Sequence, residues 1–402
     1  MQRPAIVVPA FSRPLALQRL LRSLNRANYP VEGVRLVISV DGGAAEEVTR
    51  IAREFQFASG PKEVIVRERN MGLRDHLLWC GDQTARYGSV IVLEDDLFVD
   101  PHFYWFACGG LDAYGGDERI AGVALYAPRY NEFARLPFEP CFDGTSAYFA
   151  CTPCSSGQAW TESQWVGFRR WLLETGFAEG QDDSCLPAEV RAWPKSSWKK
   201  LFATYLAQEH RYFVYPYQSY TTNFSDAGGT HIPCGTNLHQ VPMALPGRPP
   251  QQLQFRPLAD AVVRYDAFME PQSDWMEQWL GLEEGSLCVD LYAQRDVCRL
   301  QSRPLSLTSR PTRRAIRRFG LSLRPIELNM CHEEDPEYPF FSLASSADVL
   351  PERMSSRTQL HTYFAYSPIY SRDFLGAVAT GLASGQGMAA LRAKVAQLRR
   401  RS

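Results

Sequence analysis

The first hundred residues alternate between short, unbroken apolar runs and longer stretches where apolar side chains recur every three or four positions. Ala5-Ile6-Val7-Val8, residues 34–40, residues 63–66 and Ser89-Val90-Ile91-Val92-Leu93 are the unbroken runs, the pattern of strands buried within a sheet. Between the first two, Leu17, Leu20, Leu21 and Leu24 define one apolar helix face. Ser12 and Pro14 suit its start and Tyr29-Pro30 its end. Residues 46–57 and 72–87 read as two further helices. Strand, helix, strand, helix, strand predicts an α/β fold with a mostly parallel, doubly wound sheet. No G-x-G-x-x-G or Walker loop accompanies it, which argues against dinucleotide and P-loop classes.

Polar chemistry gathers where two of these strands end. Residues 34–40 run into Asp41-Gly42-Gly43, and the fourth strand runs into Glu94-Asp95-Asp96. Open α/β sheets bind ligands at the C-terminal ends of their strands. Three adjacent acids repel one another unless a cation joins them. A hard divalent cation, Mn²⁺ or Mg²⁺, takes oxygen ligands and could hold a diphosphate against the sheet. A solvated acidic turn for the triplet, and a plain turn residue for Asp41, are the alternatives. Arg13 suits phosphates or base carbonyls through its guanidinium fork. His76 and Arg74, two apart on a helix, do not share a face.

Composition narrows the class. At 402 residues the chain has room for two or three domains. Its net charge of -1 and pI near 6.7 give no reason to expect nucleic acid as a partner. No apolar run is long enough to span a bilayer, and Arg3 leads straight into a strand, so neither an anchor nor a signal peptide is expected. The ten cysteines lack the spacing of a disulfide framework. Cys151/Cys154 is the only C-x-x-C pair, so core thiols in a reducing cytoplasm fit better than zinc.

The Ala5-to-Arg13 start, the aspartate-ended second strand and Val92-Leu93-Glu94-Asp95-Asp96-Leu97 resemble the GT-A glycosyltransferases. Within them the chain is most similar to the N-acetylglucosaminyltransferase I type and its family 2 relatives. Arg74-Asp75-His76 with Trp79, and Trp193-Pro194-Lys195 with Trp198, extend the resemblance over roughly residues 4–235. It implies a GT-A, Rossmann-like fold and a nucleotide-sugar site that includes Pro9, Arg13, Asp41, Arg74, His76, Glu94 and Asp95. Asp41 would contact the base, and Asp96 would be the metal ligand. His231, in a polar stretch with several glycines, resembles the late histidine directed at the metal or diphosphate. Ser155-Ser156-Gly157 resembles the segment beneath donor sugar and acceptor, with Trp160 against the acceptor.

An inverting transferase needs a carboxylate to take the acceptor's proton. The family's acid follows the tryptophan matching Trp198, where this chain has Lys199 and Lys200. Asp182 and Asp183 are the replacement suggested by spacing from Gly157, with Glu162 behind them. The resulting expectation is a metal-dependent, inverting transferase moving a UDP-linked sugar to a glycan or lipid-linked glycan. A sugar-1-phosphate nucleotidyltransferase and a silent glycan-binding scaffold are the alternatives.

Three regions are expected: residues 1–240 for catalysis, a proline-rich linker or strap over 241–257, and an accessory α+β region over 258–402. Residues 265–282 read as helical, with Trp275 and Trp279 at i,i+4, and residues 289–292 as a strand. Arg303, Arg310, Arg313, Arg314, Arg317 and Arg318, with a basic stripe at Leu391, Val395 and Leu398, are compatible with peripheral contact at the inner membrane face. Solvated charged faces are compatible as well.

Overall fold

The computed structural model describes residues 2–176, 185–226, 239–244, 247–248, 252–331 and 335–366. Two units emerge, Met1–Arg353 and Met354–Ser402. The second contains the helix Ser356–Tyr366.

The first unit opens as its hydrophobic pattern predicts. Strands β1 (Ala5–Ala10), β2 (Leu36–Val40), β3 (Lys62–Val66) and β4 (Ser89–Val92) alternate with helices α1 (Pro14–Asn25), α2 (Glu46–Glu54), α3 (Gly72–Asp82) and the single turn α4 (Thr84–Tyr87). β1 lies inside the sheet and is buried throughout. It pairs in parallel with β2, Ile6 opposite Leu36, and with β4, Ile6 opposite Ile91. Leu17, Leu20, Leu21 and Leu24 of α1 are buried, as their spacing requires.

The chain continues through β5 (Leu97–Val99), α5 (Phe103–Tyr114), β6 (Ile120–Ala124), and a hairpin of β7 (Tyr130–Asn131) and β8 (Leu136–Pro137). After β9 (Ala147–Ala150) and β10 (Gln158–Thr161) come α6 (Glu162–Thr175), α7 (Ala188–Arg191), α8 (Trp198–Gln208), β11 (Tyr212–Pro216), β12 (Thr221–Asn223) and β13 (Arg264–Tyr265). Nine strands form one sheet in the order β13-β9-β11-β6-β10-β4-β1-β2-β3. Five of its eight pairings are parallel and three antiparallel. The expected mixed α/β architecture with a large, mainly parallel sheet is therefore what the chain adopts. β10 runs antiparallel between β4 and β6, setting Gln158 opposite Val92, the last residue of β4 before the turn that carries the acids.

The remainder of the unit holds α9 (Ser273–Leu280), β14 (Leu287–Asp290), α10 (Val297–Leu300), β15 (Leu305–Thr308), β16 (Arg317–Phe319) and β17 (Phe341–Ser345). Its four strands form a second sheet, β14-β15-β17-β16. The helix expected over 265–282 is confined to α9. Tyr265 instead pairs with Ala150 in the large sheet. Residues 266–270 form a turn held by the Asp266 carboxylate, which accepts from the amides of Phe268 (2.8 Å) and Glu270 (3.1 Å), chemistry that competes with a helix. Arg310 is also not a surface charge. It is 5% exposed and donates through Nε to Asp290 at 2.7 Å.

Candidate functional site

Asp41 leaves β2 at the C-terminal edge of the sheet, its amide donating to the carbonyl of Ala10 at 2.9 Å. Its carboxylate draws three chain segments together. Oδ1 accepts from the amides of Gly42 (2.9 Å) and Met71 (2.8 Å), and Oδ2 from the amide of Gly72 (3.2 Å). The turn is tight because Gly42 lies on the backbone of Arg69, where an added Cβ would approach its carbonyl carbon to 2.1 Å. A carboxylate has about four acceptor sites, so Oδ2 keeps capacity for one more donor. His76, buried on α3, holds Nδ1 4.0 Å from Oδ2 and Nε2 2.8 Å from Ser39 Oγ. Burial pushes its pKa down to about 4, with Asp41 opposing and Arg67 assisting. The ring is neutral at neutral pH.

Arg67, just beyond β3, stacks its guanidinium 3.9 Å from the Trp79 ring centre. Its Nε and one terminal nitrogen are buried without a hydrogen-bond partner among the described residues. A buried cationic donor of this kind asks for an acceptor, which an anionic ligand at this edge would supply.

Two strands along, Glu94-Asp95-Asp96 follow β4. Arg13, immediately before α1, spans two of them, with Nη1 2.7 Å from Asp96 and Nη2 on Asp95. Burial works against the charge on Arg13, but Asp95 and Asp96 outweigh it and keep the guanidinium protonated. The compensation is incomplete. Burial, then the charge of Asp96, pushes Glu94 up to about 8, against the pull of Arg13 and Lys199. Asp95 is pushed up to about 6, again chiefly by burial. Among the described residues Asp95 and Asp96 share one close arginine and Glu94 feels it only at longer range, so the site still favours added positive charge.

A cleft of about 80 Å³ is lined by Cys154, Ser155, Ser156, Glu132, Lys199 and His239, among others. Lys199 Nζ lies 2.6 Å from Glu132. Burial lowers the His239 pKa, and Glu132, Lys199 and Asp96 all act on it electrostatically, placing acids and cleft in one neighbourhood. Gly157 closes the serine segment at φ 98°, where a Cβ would meet Thr221 at 2.9 Å and Leu93 at 3.3 Å. The segment can press against the start of the acidic turn only because it ends in glycine. Phe224 donates its amide to the Asp96 carbonyl at 3.2 Å, and Asn223 donates to the His239 carbonyl at 3.4 Å.

The expected residues divide clearly. Asp41 and His76 come together, as do Arg13, Asp95 and Asp96, with Glu94 electrostatically coupled to them. Pro9 is buried in β1 opposite Ser39 and shapes this edge through backbone alone. Arg74 is exposed and donates to Asp75 at 2.8 Å rather than joining His76. Trp160 is a core side chain, 1% exposed, packed on Trp165 and Phe202, so its ring presents no face to an acceptor. Its position on β10 explains this, since α6 and α8 cover that face. Asp182, Asp183 and His231 lie outside the described residues. Sequence reading missed Arg67, Glu132, His239 and Gln158. The last is fully buried with both amide atoms unpartnered. The one available signal was Arg67 closing a strand, as Asp41 does.

No protein-family model matches the sequence, and no curated protein does. Solved structures do. The chain is similar to TarS 1–349 of S. aureus, at 15% identity and TM-score 0.39, over 56% of this chain and 61% of that one. It is similar to mannosyltransferase PcManGT from Pyrobaculum calidifontis, solved with GDP-Man and Mn²⁺, at 11% identity and TM-score 0.35, over 53% and 54%. It is also similar to GalNAc-T7, solved with UDP, GalNAc and Mn²⁺, at 14% identity and TM-score 0.37, over 54% and 42%. The chain spans less than two thirds of each of these structures. The solved structures it resembles are GT-A glycosyltransferases.

Proposed function

We propose that this chain is a glycosyltransferase that moves a sugar from a nucleoside diphosphate, UDP by the resemblance, to a glycan or lipid-linked glycan. The observation that carries the reading is the shared sheet edge, where Asp41 with its spare acceptor site and an under-compensated acidic triplet follow the two parallel strands that flank β1. Asp41 and His76 would hold the base. Arg67 would meet diphosphate oxygens, and Glu94 and Asp95 the ribose and donor sugar. The serine segment and the cleft would receive the acceptor.

Among the described residues no group of three His, Cys, Asp or Glu forms a ready metal cage. The donors fit a hard cation that keeps substrate oxygens in its shell, as Mg²⁺ and Mn²⁺ do. Asp96 would contribute a carboxylate and His231 an imidazole, and the ion would supply charge to stabilise the departing diphosphate. Arg13 must release Asp96 for this, or else act as the cation itself. That pairing is also the observation favouring the silent-scaffold reading.

The proton acceptor would be Asp182 or Asp183, with Glu132 in the cleft as the candidate the fold adds. Lys199, 2.6 Å from Glu132, would hold its carboxylate in place. We also propose peripheral membrane contact through the exposed Arg313 and Arg314. No helix among the described residues is long and apolar enough to cross a membrane. Donor hydrolysis across a panel of nucleotide sugars, with and without Mn²⁺, tests the reading. Turnover of one UDP-sugar supports it, turnover without metal dependence assigns the cationic role to Arg13, and no binding of any nucleotide overturns it.

A further inference from the structure

A second cavity, of about 250 Å³, lies in the C-terminal part of the first unit, lined by Asp266, Ser273, Cys288, Arg295, Arg299 and Arg303, among others. Its charge is one-sided. Asp266 is the single acid on the lining, and it is paired with Arg295. Arg295 also reaches Glu270 at 3.3 Å and lies 4.4 Å above the Phe268 ring. This fixes the guanidinium at the wall. Arg299 and Arg303 stand at the rim with solvent-exposed side chains. Arg303 gives one terminal nitrogen to the Gly285 carbonyl at 2.7 Å, leaving other N–H donors of its fork. Ser273 opens α9, where Asp274 in the first turn accepts from the Trp275 amide at 2.8 Å, so the helix start adds no charge of its own to the lining. Three guanidiniums at four-residue intervals against one acid make a concave surface suited to a compact, multiply charged oxyanion.

The cavity is separated from the acidic cleft by one turn. Phe268 lines the cavity and Met269 lines the cleft. Met269 is held at φ 58°, a strained conformation for a side chain of its size. Asn131, between two residues of the cleft wall, donates through Nδ2 to the Phe268 carbonyl at 3.0 Å. A molecule with a phosphate in one recess and a hydroxyl in the other needs only to cross this turn.

We infer that the arginine cavity binds a phosphate group, and that this group belongs to the acceptor, a role that rests on the transferase reading. Calorimetric titration of the full chain with inorganic phosphate should show saturable one-to-one binding at millimolar concentrations. Arg299→Glu with Arg303→Glu should weaken it about tenfold or more while leaving UDP affinity unchanged. Should the double variant not fold, a saturable rise in unfolding temperature of the unmodified protein with inorganic phosphate, weaker in Arg303→Gln, reads the same cavity. Vesicles of phosphatidylcholine with and without phosphatidic acid identify the source. Binding only to the phosphatidic acid vesicles, lost in the variant, assigns a lipid-borne phosphate, and binding of free phosphate alone assigns a soluble one. No saturable phosphate binding, unchanged affinity in the variant, or no phosphate-dependent rise in unfolding temperature would overturn the inference. Phosphate binding in a protein that binds no nucleotide would leave the cavity standing and remove its acceptor role.

Discussion

The acidic turn after β4 and the ionic core around β14 each gather three carboxylates, two of them buried, and they balance them differently. In the core, Asp290 faces Arg310 at 2.7 Å and accepts from the amide of Arg295 at 2.9 Å and from Thr308. Asp266 and Glu270 share Arg295. Arg310 spends its remaining donors on the carbonyls of Ala293, Arg295 and Pro351. Asp290 is thus satisfied from within, while burial, with Asp290 and Asp266, raises Glu270 well above the usual carboxylate range, and its Oε2 has no hydrogen-bond partner among the described residues. At the turn, Asp95 and Asp96 have Arg13 as their one close cation among the described residues, and Glu94 is pushed up to about 8. Charge that is closed internally holds structure, while charge left short of a counterion marks a place for one from outside.

Breaking the closed network should cost the most stability. Arg310→Ala strands Asp290, which is fully buried, and should remove about 3–5 kcal/mol, read by urea unfolding. Nucleotide affinity in the folded fraction should not change.

The turn should show its deficit in the pH dependence of the metal-free protein. Between pH 4.5 and about 8 the folded chain keeps a proton on Glu94 that the unfolded chain has released, so stability falls as pH rises through that window. His76 acts oppositely between 6.5 and about 4, since the unfolded chain takes up a proton that the buried ring refuses. The two overlap below 6.5; above it Glu94 still acts up to about 8, beside Glu327, which burial pushes up to about 7, and Glu270, which burial raises well above the usual carboxylate range. Unfolding free energy should drop there, and Glu94→Gln should shrink the drop by up to about 2 kcal/mol. An equal drop in the variant would move the deficit elsewhere.

Asp41 lies between the two regimes, satisfied by three amides yet with one acceptor site spare. Asp41→Asn keeps one acceptor oxygen, so stability should fall by about 1 kcal/mol. UDP affinity should weaken about tenfold, with no change in metal preference, as calorimetry would register.

Charges open to solvent should matter least. Neutralising Arg313 and Arg314 should leave stability unchanged and weaken co-sedimentation with anionic vesicles by about 1 kcal/mol per residue, less as salt rises. No vesicle binding by the intact chain would make them ordinary solvated charges.

Much of the sheet was legible because β1, β2 and β4 are buried on both faces and so read as unbroken apolar runs, ending where Asp41 and Glu94 begin. The site was legible only in what those strands carry themselves. Arg67, Glu132 and His239 reach the edge by tertiary folding from segments with no pattern of their own. Gln158 arrives through an antiparallel strand inserted between β4 and β6, which no local periodicity announces. Trp160 misled for the same reason, since aromatic residues suit a sugar face and a core equally well and only the packing of α6 and α8 separates them. Arg310 looked like part of a basic surface because its partner Asp290 lies twenty residues away.

The most direct test is Asp96→Ala, measured for UDP-sugar turnover with and without Mn²⁺ and for unfolding free energy on the same preparation. If the turn is a ligand site, turnover that depends on the metal should fall about a hundredfold or more, while stability holds or rises as repulsion on Glu94 is relieved. Wild-type turnover in metal-limited buffer, or lost stability with turnover intact, would show that Asp96 serves the fold and not the reaction.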